Sequence, residues 1–525
     1  MALVATGVSA GLVARHGGAG APAQTAPSPY REAVVAPQRP LILDPLLARS
    51  DPASRDLSAL LNCALLRLNS RVVPVPDLAS TWGVSGDGLT YRFQLTPGRL
   101  WSDGSPITPA DAVATVALVQ RLDFPDRTLA STWKNVTVAP TGDGTITMTL
   151  PSPRASFAVA VADLPILPAS IATLSTPQLV ATAHQAMPAS GPLLVRSSDQ
   201  RKVELIPNLH AALRPRLTGV ELRLEPDFMS AARDLATGQA DGVLATNPAQ
   251  RAALATLKGT RLHDQVTLRF VDLLLNTRTP GLGDPVVRRA LAAAVDRRAL
   301  INTALDGQGR AQMDAIPAGI DWLGSGGGEQ PNPVLASRAL DAAGYVADLR
   351  TGMRARGAIR LDFTLAVPDA PPLPAVAREL ARQMAAIGVS ATVVIVPADR
   401  FPGTVVLSAG YQMAIADWDN GADPDVSAFW RSNATPPGGF NVSGLSPDPF
   451  LDHALDSLAT QLDPQLRAEA AQQVDQRLAE AVPAVFLYAP MVSFAVTDAI
   501  AGVVVPDAGT PAARYSGIAA WWRSP

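Results

Sequence analysis

Hydrophobic spacing switches between a period of two and a helical period along almost the whole chain, and this alternation narrows the possible folds more than any single motif. Leu89, Tyr91, Phe93 and Leu95 point one way while Thr90, Arg92 and Gln94 point the other. Ile146, Met148 and Leu150 repeat the pattern, as do Val220, Leu222 and Leu224 against Glu221, Arg223 and Glu225. Two further runs, 270–275 and 393–396, read as apolar throughout, which predicts strands covered on both faces of a sheet. Helical spacing lies between these strands. The clearest predicted helix starts at Asp284, an N-cap, with Pro285 at the first helical position, and runs to about Leu305. Another spans 374–387 and stops at Gly388, where glycine turns the chain left-handed. Stretches 448–462 and 464–482 complete a helical C-terminal region. Interleaved strands and helices predict an α/β fold. At 525 residues the chain exceeds what one core supports, so two or three lobes are expected.

Charge and cysteine content remove several classes of function. The 43 basic and 46 acidic residues are mixed along the chain, with no basic block or stripe, so no nucleic-acid partner is expected. Cys63 is the only cysteine, which excludes an internal disulfide framework and a Cys-based zinc cluster. Its neighbours Leu60, Leu61 and Asn62 suggest a buried small hydrophobe on a helix. The stretch 1–14 is uncharged and rich in Ala, Val, Leu and Gly, and 17–29 is small and Pro-rich. Together they suggest a signal peptide or anchor followed by a tether, with Ala21-Pro22-Ala23 as a cleavage site. No later segment reaches the roughly 20 apolar residues that span a bilayer.

The usual local signatures of catalysis are missing. His16, His184, His210, His263 and His453 are far apart, and no two have the spacing of a helical metal site. The run 324–328 is glycine-rich but lacks the Lys-Ser/Thr of a phosphate loop, and Gly307-Gln308-Gly309 lacks the third glycine of a dinucleotide fingerprint. No Gly-x-Ser-x-Gly elbow occurs. A binding protein without metal or cofactor is expected, and not an enzyme.

Several segments, in order, resemble the family 5 extracellular solute-binding proteins, the peptide-, dipeptide- and nickel-capturing subunits of ATP-driven importers. Pro76-Asp77-Leu78-Ala79 with Trp82 resembles the family's P-D-L-A-x-x-W. The run from Trp101, Ser102, Asp103 and Gly104 to Ser105, Pro106, Ile107 and Thr108 resembles W-x-D-G-x-P-h-T, where h is apolar, and Asp111 continues it. Ser190-Gly191-Pro192 stands where the family reads T-G-P-Y, with Leu193 in place of the tyrosine. Gly238, Gln239 and Asp241 resemble G-E-x-D. Asn276, Asp284, Val287, Arg288, Ala290, Asp296 and Arg297 follow the family's N-x…D-x-x-V-R-x-A-h…A-h-D-R, and Leu340 to Tyr345 follow L-x-x-A-G-Y. Most of these residues read best as structural: Asp103-Gly104 as a turn, and Arg288, Asp296 and Arg297 as fasteners of a helix.

One segment points to a ligand. The residues from Asp417, Trp418, Asp419, Asn420 and Gly421 to Asp423, Pro424 and Asp425 resemble the family's W-x-x-D-N-G-D-P-D, with one residue inserted and the tryptophan moved next to the aspartate. In peptide-binding members the aspartate before Asn-Gly pairs with the peptide's N-terminal ammonium, and the matching position is Asp419. An ammonium taken from water needs a nearby anion, and a charge-assisted bond exceeds a neutral one. The same carboxylates also suit a solvated loop or a calcium-binding cluster. Tyr411, Trp418, Asn420, Phe440 and Asn441 join Asp419 as candidate ligand-binding residues, aromatic walls with a few polar groups. Arg431 is a candidate partner for a ligand carboxylate.

By the resemblance, the fold is periplasmic-binding-protein-like: two lobes with a hinge plus an inserted subdomain, the class C type. Residues 1–34 form the signal or anchor and tether; 35–75, 189–268 and 495–525 form lobe I; 76–188 the inserted subdomain; and 269–494 lobe II. Crossings near Leu268 and Val492 form the hinge. The implied protein is a monomer, cleaved or membrane-tethered, working in the periplasm or at the outer face of the cell membrane. It would capture oligopeptides or dipeptides between its lobes and deliver them to an ABC permease with its ATPase. Capture of another solute, such as a metal chelate or glycoside, and a transport-inactive regulatory protein are the alternatives.

Overall fold

A computed structural model describes residues 28–316, 320 and 330–524. The proposed signal or anchor segment 1–14, most of the tether 17–29, His16 and the glycine-rich run 324–328 lie outside them.

Twelve strands form one mixed sheet. They are β1 (Tyr30–Val35), β2 (Leu193–Ser198), β3 (Lys202–Pro207), β4 (Val220–Glu225), β5 (Gly242–Ala245), β6 (Thr260–Val266), β7 (Arg269–Leu275), β8 (Gly309–Ala311), β9 (Asp362–Pro368), β10 (Ser390–Val396), β11 (Met413–Asp419) and β12 (Ala484–Thr497). Their order is β10-β9-β11-β7-β12-β5-β1-β4-β3-β2, with β6 and β8 also on β12. The 14-residue β12 belongs to both halves. Its first part pairs antiparallel with β7, and its second with β5 and β6. Since β6 runs into β7 through Thr267 and Leu268, two adjacent stretches of chain pass between the halves. They are tied where Thr267 donates to Pro490 O twice, from its backbone N–H at 2.9 Å and its hydroxyl at 2.8 Å. The C-terminal segment laces onto the same place, with Val266 N–H donating to Asp507 O and Gly509 N–H to Val266 O.

The alternation along β7 sorts two cores. Val271, Leu273 and Leu275 pack on one face with α1 (Pro285–Ala294), α2 (Arg297–Ala304) and α3 (Leu373–Ala385). Phe270 and Leu274 pack on the other with α4 (Pro449–Thr460) and α5 (Pro464–Ala481). Across the crossing, Tyr30, Leu222, Phe494 and Trp521 fill a core of their own. A fourth core, around Phe93, Trp101, Trp133 and Phe157, sits beside a four-stranded sheet of Ala79–Val84, Thr90–Leu95, Thr145–Thr149 and Thr137–Pro140.

The local signals act as the physics of chain ends requires. Asp284 accepts from Val286 N–H at 2.9 Å and caps α1. Asp103 accepts from Ser105 N–H at 2.9 Å, and Gly104 takes φ +87°. Gly388 takes φ +79° beyond α3. Arg288 donates to the carbonyls of Ala481 and Val482, satisfying the open end of α5, and Arg297 reaches Gln312 O and Phe486 O.

Four expectations are corrected. Residues 30–34, expected in the tether, are part of β1, which pairs with β4 and β5 inside the sheet. The helix predicted from Asp284 to about Leu305 is two helices, because Val295 is extended and Asp296 caps the second by accepting from Ala299 N–H at 2.8 Å. The run 393–396 is not covered on both faces: β10 is an edge strand, and Val394 and Ile395 are exposed. Cys63 lies beyond the end of the helix Pro52–Leu61 and is only partly buried.

Candidate functional site

The candidate residues gather where β11 ends against the start of β7. The antiparallel register sets Arg269 opposite Asp419, Phe270 opposite Trp418, Val271 opposite Asp417 and Asp272 opposite Ala416. Opposed residues share a face of the sheet, so the register sorts the site into two sides.

Arg269, Asp417 and Asp419 occupy one side. The Arg269 guanidinium donates from Nε to Asp417 Oδ1 at 3.0 Å, and its Nη2 lies 2.8 Å from Oδ2, a two-pronged pair. Burial works against the Arg269 charge, but Asp417 and then Asp419 outweigh it and hold the guanidinium above its usual range. Burial raises the Asp417 carboxyl, Arg269 pulls it down, and Asp419 pushes it up again. The phenol of Tyr488, opposite Val271 on β12, is raised by burial and by Asp417. Asp419 is exposed, and its Oδ1 accepts from Gly421 N–H at 3.0 Å, an Asx turn that starts the loop. Among the described residues it has no other hydrogen-bond partner.

Trp418 points to the other side. Its indole Nε1 donates to Asp272 Oδ1 at 3.1 Å. Its ring meets Phe429 edge-on at 5.0 Å and Phe440 at 5.8 Å, while Phe429 stacks on Phe440 at 5.6 Å. Phe270 continues the cluster inward, 5.8 Å from Phe429. Phe440 is 42% exposed, so the cluster ends in an aromatic surface. Asp272 is fully buried, its Oδ2 has no hydrogen-bond partner, and burial raises its carboxyl well above the usual range against the opposing effect of Trp418.

The other candidates serve the chain itself. Asn420 donates to the carbonyls of Asp423 and Asp425, closing the loop after β11. The Tyr411 hydroxyl donates to Val442 O at 3.1 Å, and burial raises this phenol. Asn441 is buried, donates to Arg431 O at 3.0 Å and accepts from Ser443. Arg431 pairs with Asp456 on α4. Trp418 and Phe440 are thus brought together, Asp419 and Asn420 adjoin on the loop, and Tyr411, Asn441 and Arg431 hold the scaffold behind them. The far end of the loop meets the body around Phe157. Ala155 N–H donates to Ala459 O at 2.8 Å, and the Asp423 carboxyl is raised by burial and by Asp425 while a bond to Ser156 lowers it.

Arg269, Asp272, Asp417, Phe429 and Tyr488 stand outside the set picked from the sequence. Asp272 carried a signal, because it is a carboxylate inside the run 270–275, which is therefore not apolar throughout as expected. Asp417 carried one too, because residues two apart on a strand share a face. Among the described residues no group of three or more His, Cys, Asp or Glu is placed to hold a metal ion, and no helix is long and apolar enough to cross a membrane.

Comparison with known proteins bears on this site. The model of the bacterial extracellular solute-binding proteins, family 5 Middle, matches residues 73–440. Protein XP55 of Streptomyces lividans is 27% identical over 398 residues, covering 75% of this chain and 72% of that protein. The glutathione-binding protein GsiB of Salmonella paratyphi A is 24% identical over 455 residues, 82% of this chain and 84% of that one. Among solved structures, the substrate-binding protein CtaP of Listeria monocytogenes superposes with a TM-score of 0.80 at 19% identity, covering 95% of this chain and all of that one. NikZ of Campylobacter jejuni, in complex with Ni(L-His), gives 0.74 at 20% identity over 94% of this chain and 99% of that one. The oligopeptide-binding protein AppA of Bacillus subtilis, in complex with a nonapeptide, gives 0.71 at 20% over 95% and 100%. These structural likenesses establish a periplasmic-binding-protein fold.

Proposed function

The chain belongs to the bacterial extracellular solute-binding proteins of family 5, and we propose that it captures oligopeptides or dipeptides, holding the peptide's ammonium on Asp419. The family is extracytoplasmic and serves ABC importers, so a small solute, a permease and an ATPase are its partners. In the proposed cycle, lobe I (30–75, 189–268 and 495–525) and lobe II (269–494), with the inserted subdomain 76–188, close around the ligand by flexing near 267–268 and 489–492. The closed form then docks on the permease. No chemical step is required of the binding protein.

The observation that carries this reading is the unequal fate of two carboxylates on one sheet face. Asp417 is neutralised by Arg269, while Asp419 is exposed and bonded only within its own turn. A ligand ammonium would meet one unpaired carboxylate on that face. A metal chelate is the second reading. It draws on the solved relative that holds Ni(L-His), and on the lack of a metal-binding cluster among the described residues, which makes the chelator bring its own ligands.

Thermal unfolding of the purified chain with di- to pentapeptides tests the proposal. A peptide at a hundred times its dissociation constant adds about 2.7 kcal/mol of apparent stability. The expected result is a shift in wild type that Asp419→Asn abolishes. A shift surviving that substitution removes Asp419 from the site, and a shift with Ni(II)-histidine but no peptide selects the chelate.

A further inference from the structure

We propose that Asp417 is a specificity-determining residue: by holding the Arg269 guanidinium, it keeps a cation of the protein's own out of the place where Asp419 receives the ligand's cation. The inference rests on the reading of Asp419 given above and assigns a role to two residues outside it.

The register makes the competition unavoidable. Arg269 is directly opposite Asp419, and directly opposed side chains across an antiparallel pair start about 5 Å apart. Asp417 is the diagonal neighbour, one strand repeat away on the same face. The directly opposed carboxylate is therefore that of Asp419, yet the guanidinium lies on Asp417, with Nε at 3.0 Å and Nη2 at 2.8 Å. Two contacts explain the choice. The planar fork meets both Asp417 oxygens at once, whereas Asp419 Oδ1 is already engaged by Gly421 N–H at 3.0 Å. The two carboxylates also repel each other, as the upward push of Asp419 on Asp417 indicates, and Arg269 quenches the more buried of the two. What remains is one anion at the surface and one spent cation beside it. A guanidinium on a long, 45% exposed side chain has the reach and freedom to turn to Asp419 once Asp417 ceases to hold it. It would then sit where a ligand ammonium is to sit, as a tethered competitor at high effective concentration.

Trialanine and N-acetyl-trialanine, titrated calorimetrically into the full chain, test this together with a crystal structure of the Asp417→Asn variant. Asp417→Asn should weaken trialanine binding at least tenfold although Asp419 is untouched. Adding Arg269→Gln to it should restore affinity to within about threefold of wild type, a rescue that a merely structural role for Asp417 would not give. Arg269→Gln alone should not weaken binding, and it keeps the test sharp if Asp417→Asn fails to fold. N-acetylation should erase the differences among the variants. In the crystal structure, the guanidinium should be within hydrogen-bond reach of Asp419, whether or not trialanine is a ligand. The inference is overturned if Asp417→Asn binds like wild type while Asp419→Asn does not, if the double variant shows no rescue, if Arg269→Gln alone loses binding, or if the guanidinium stays beside position 417 in the variant's crystal structure. Trialanine binding that survives Asp419→Asn would instead overturn the reading of Asp419 beneath it.

Discussion

Replacing Asp272 by asparagine should make the protein progressively more stable relative to wild type as pH rises, although it removes a buried carboxyl group from beside the site. Asp272 is fully buried in β7, touched by one donor, Trp418 Nε1, and by no cation, with Oδ2 unpartnered. Burial therefore raises its carboxyl well above the usual range in the folded state, while in the unfolded chain it titrates near pH 4. Between those two values the folded protein keeps a proton that the unfolded chain has released. Stability then falls as pH rises, by about 1.4 kcal/mol per pH unit. Asparagine has no such proton, so the variant should gain on wild type by about 1.4 kcal/mol for each pH unit until the folded carboxyl itself titrates. A constant offset is superimposed, because the new amide N–H groups face the place where Oδ2 finds no partner, a cost of about 1–3 kcal/mol at every pH. Offset and slope separate cleanly in urea unfolding followed by tryptophan fluorescence at pH 5, 6, 7 and 8. The pH at which the difference stops growing is the folded pKa of Asp272. Parallel stability profiles from pH 5 to pH 8 would refute the argument, since they would mean that the buried carboxyl titrates as it does in water.

Two further substitutions test the frame that carries the site. Arg514, 2% exposed, donates to Glu32 at 3.1 and 2.9 Å and to Asp56 at 2.5 Å, joining the C-terminal segment to β1 and the helix Pro52–Leu61. Arg514→Met leaves two buried carboxylates unpaired and should cost about 3–5 kcal/mol at pH 7, less at pH 5 where the orphaned acids take up protons, as urea unfolding at the two pH values would register. Gly388→Ala should destabilise more than Gly352→Ala in the same assay. Both glycines have positive φ, +79° and +74°, at a cost of about 1–2 kcal/mol for an L residue, but only at Gly388 does a Cβ come within 2.7 Å of backbone, the carbonyl of Gly352.

What could be read from the sequence divides by how far apart the interacting groups are. Asp284, Asp103-Gly104 and Gly388 announce themselves because caps and turns are settled within three or four residues. The break at Asp296 is equally local but masked, since the apolar spacing continues through it from Leu291 to Leu300 while the cap needs only one side chain turned back to Ala299 N–H. The segment from Asp417 to Asp425 reads as loop by its Asp, Asn, Gly and Pro content, yet its first three residues are strand. Alternation then puts Trp418 on the face opposite Asp417 and Asp419, a consequence of period two once the strand is granted. The charge state of the site was beyond any local pattern. Asp419 is the unpaired carboxylate only because Arg269, 148 residues from Asp417 in the chain, is brought to their shared face by the register of β7 on β11 and pairs with Asp417. A one-residue slip of that register would send the arginine to the other face and leave Asp417 and Asp419 both unpaired. A motif can therefore mark where a ligand's counter-charge is offered, but how much charge is left to offer is decided by strand pairing, and it is there that relatives with the same motif are free to differ in what they bind.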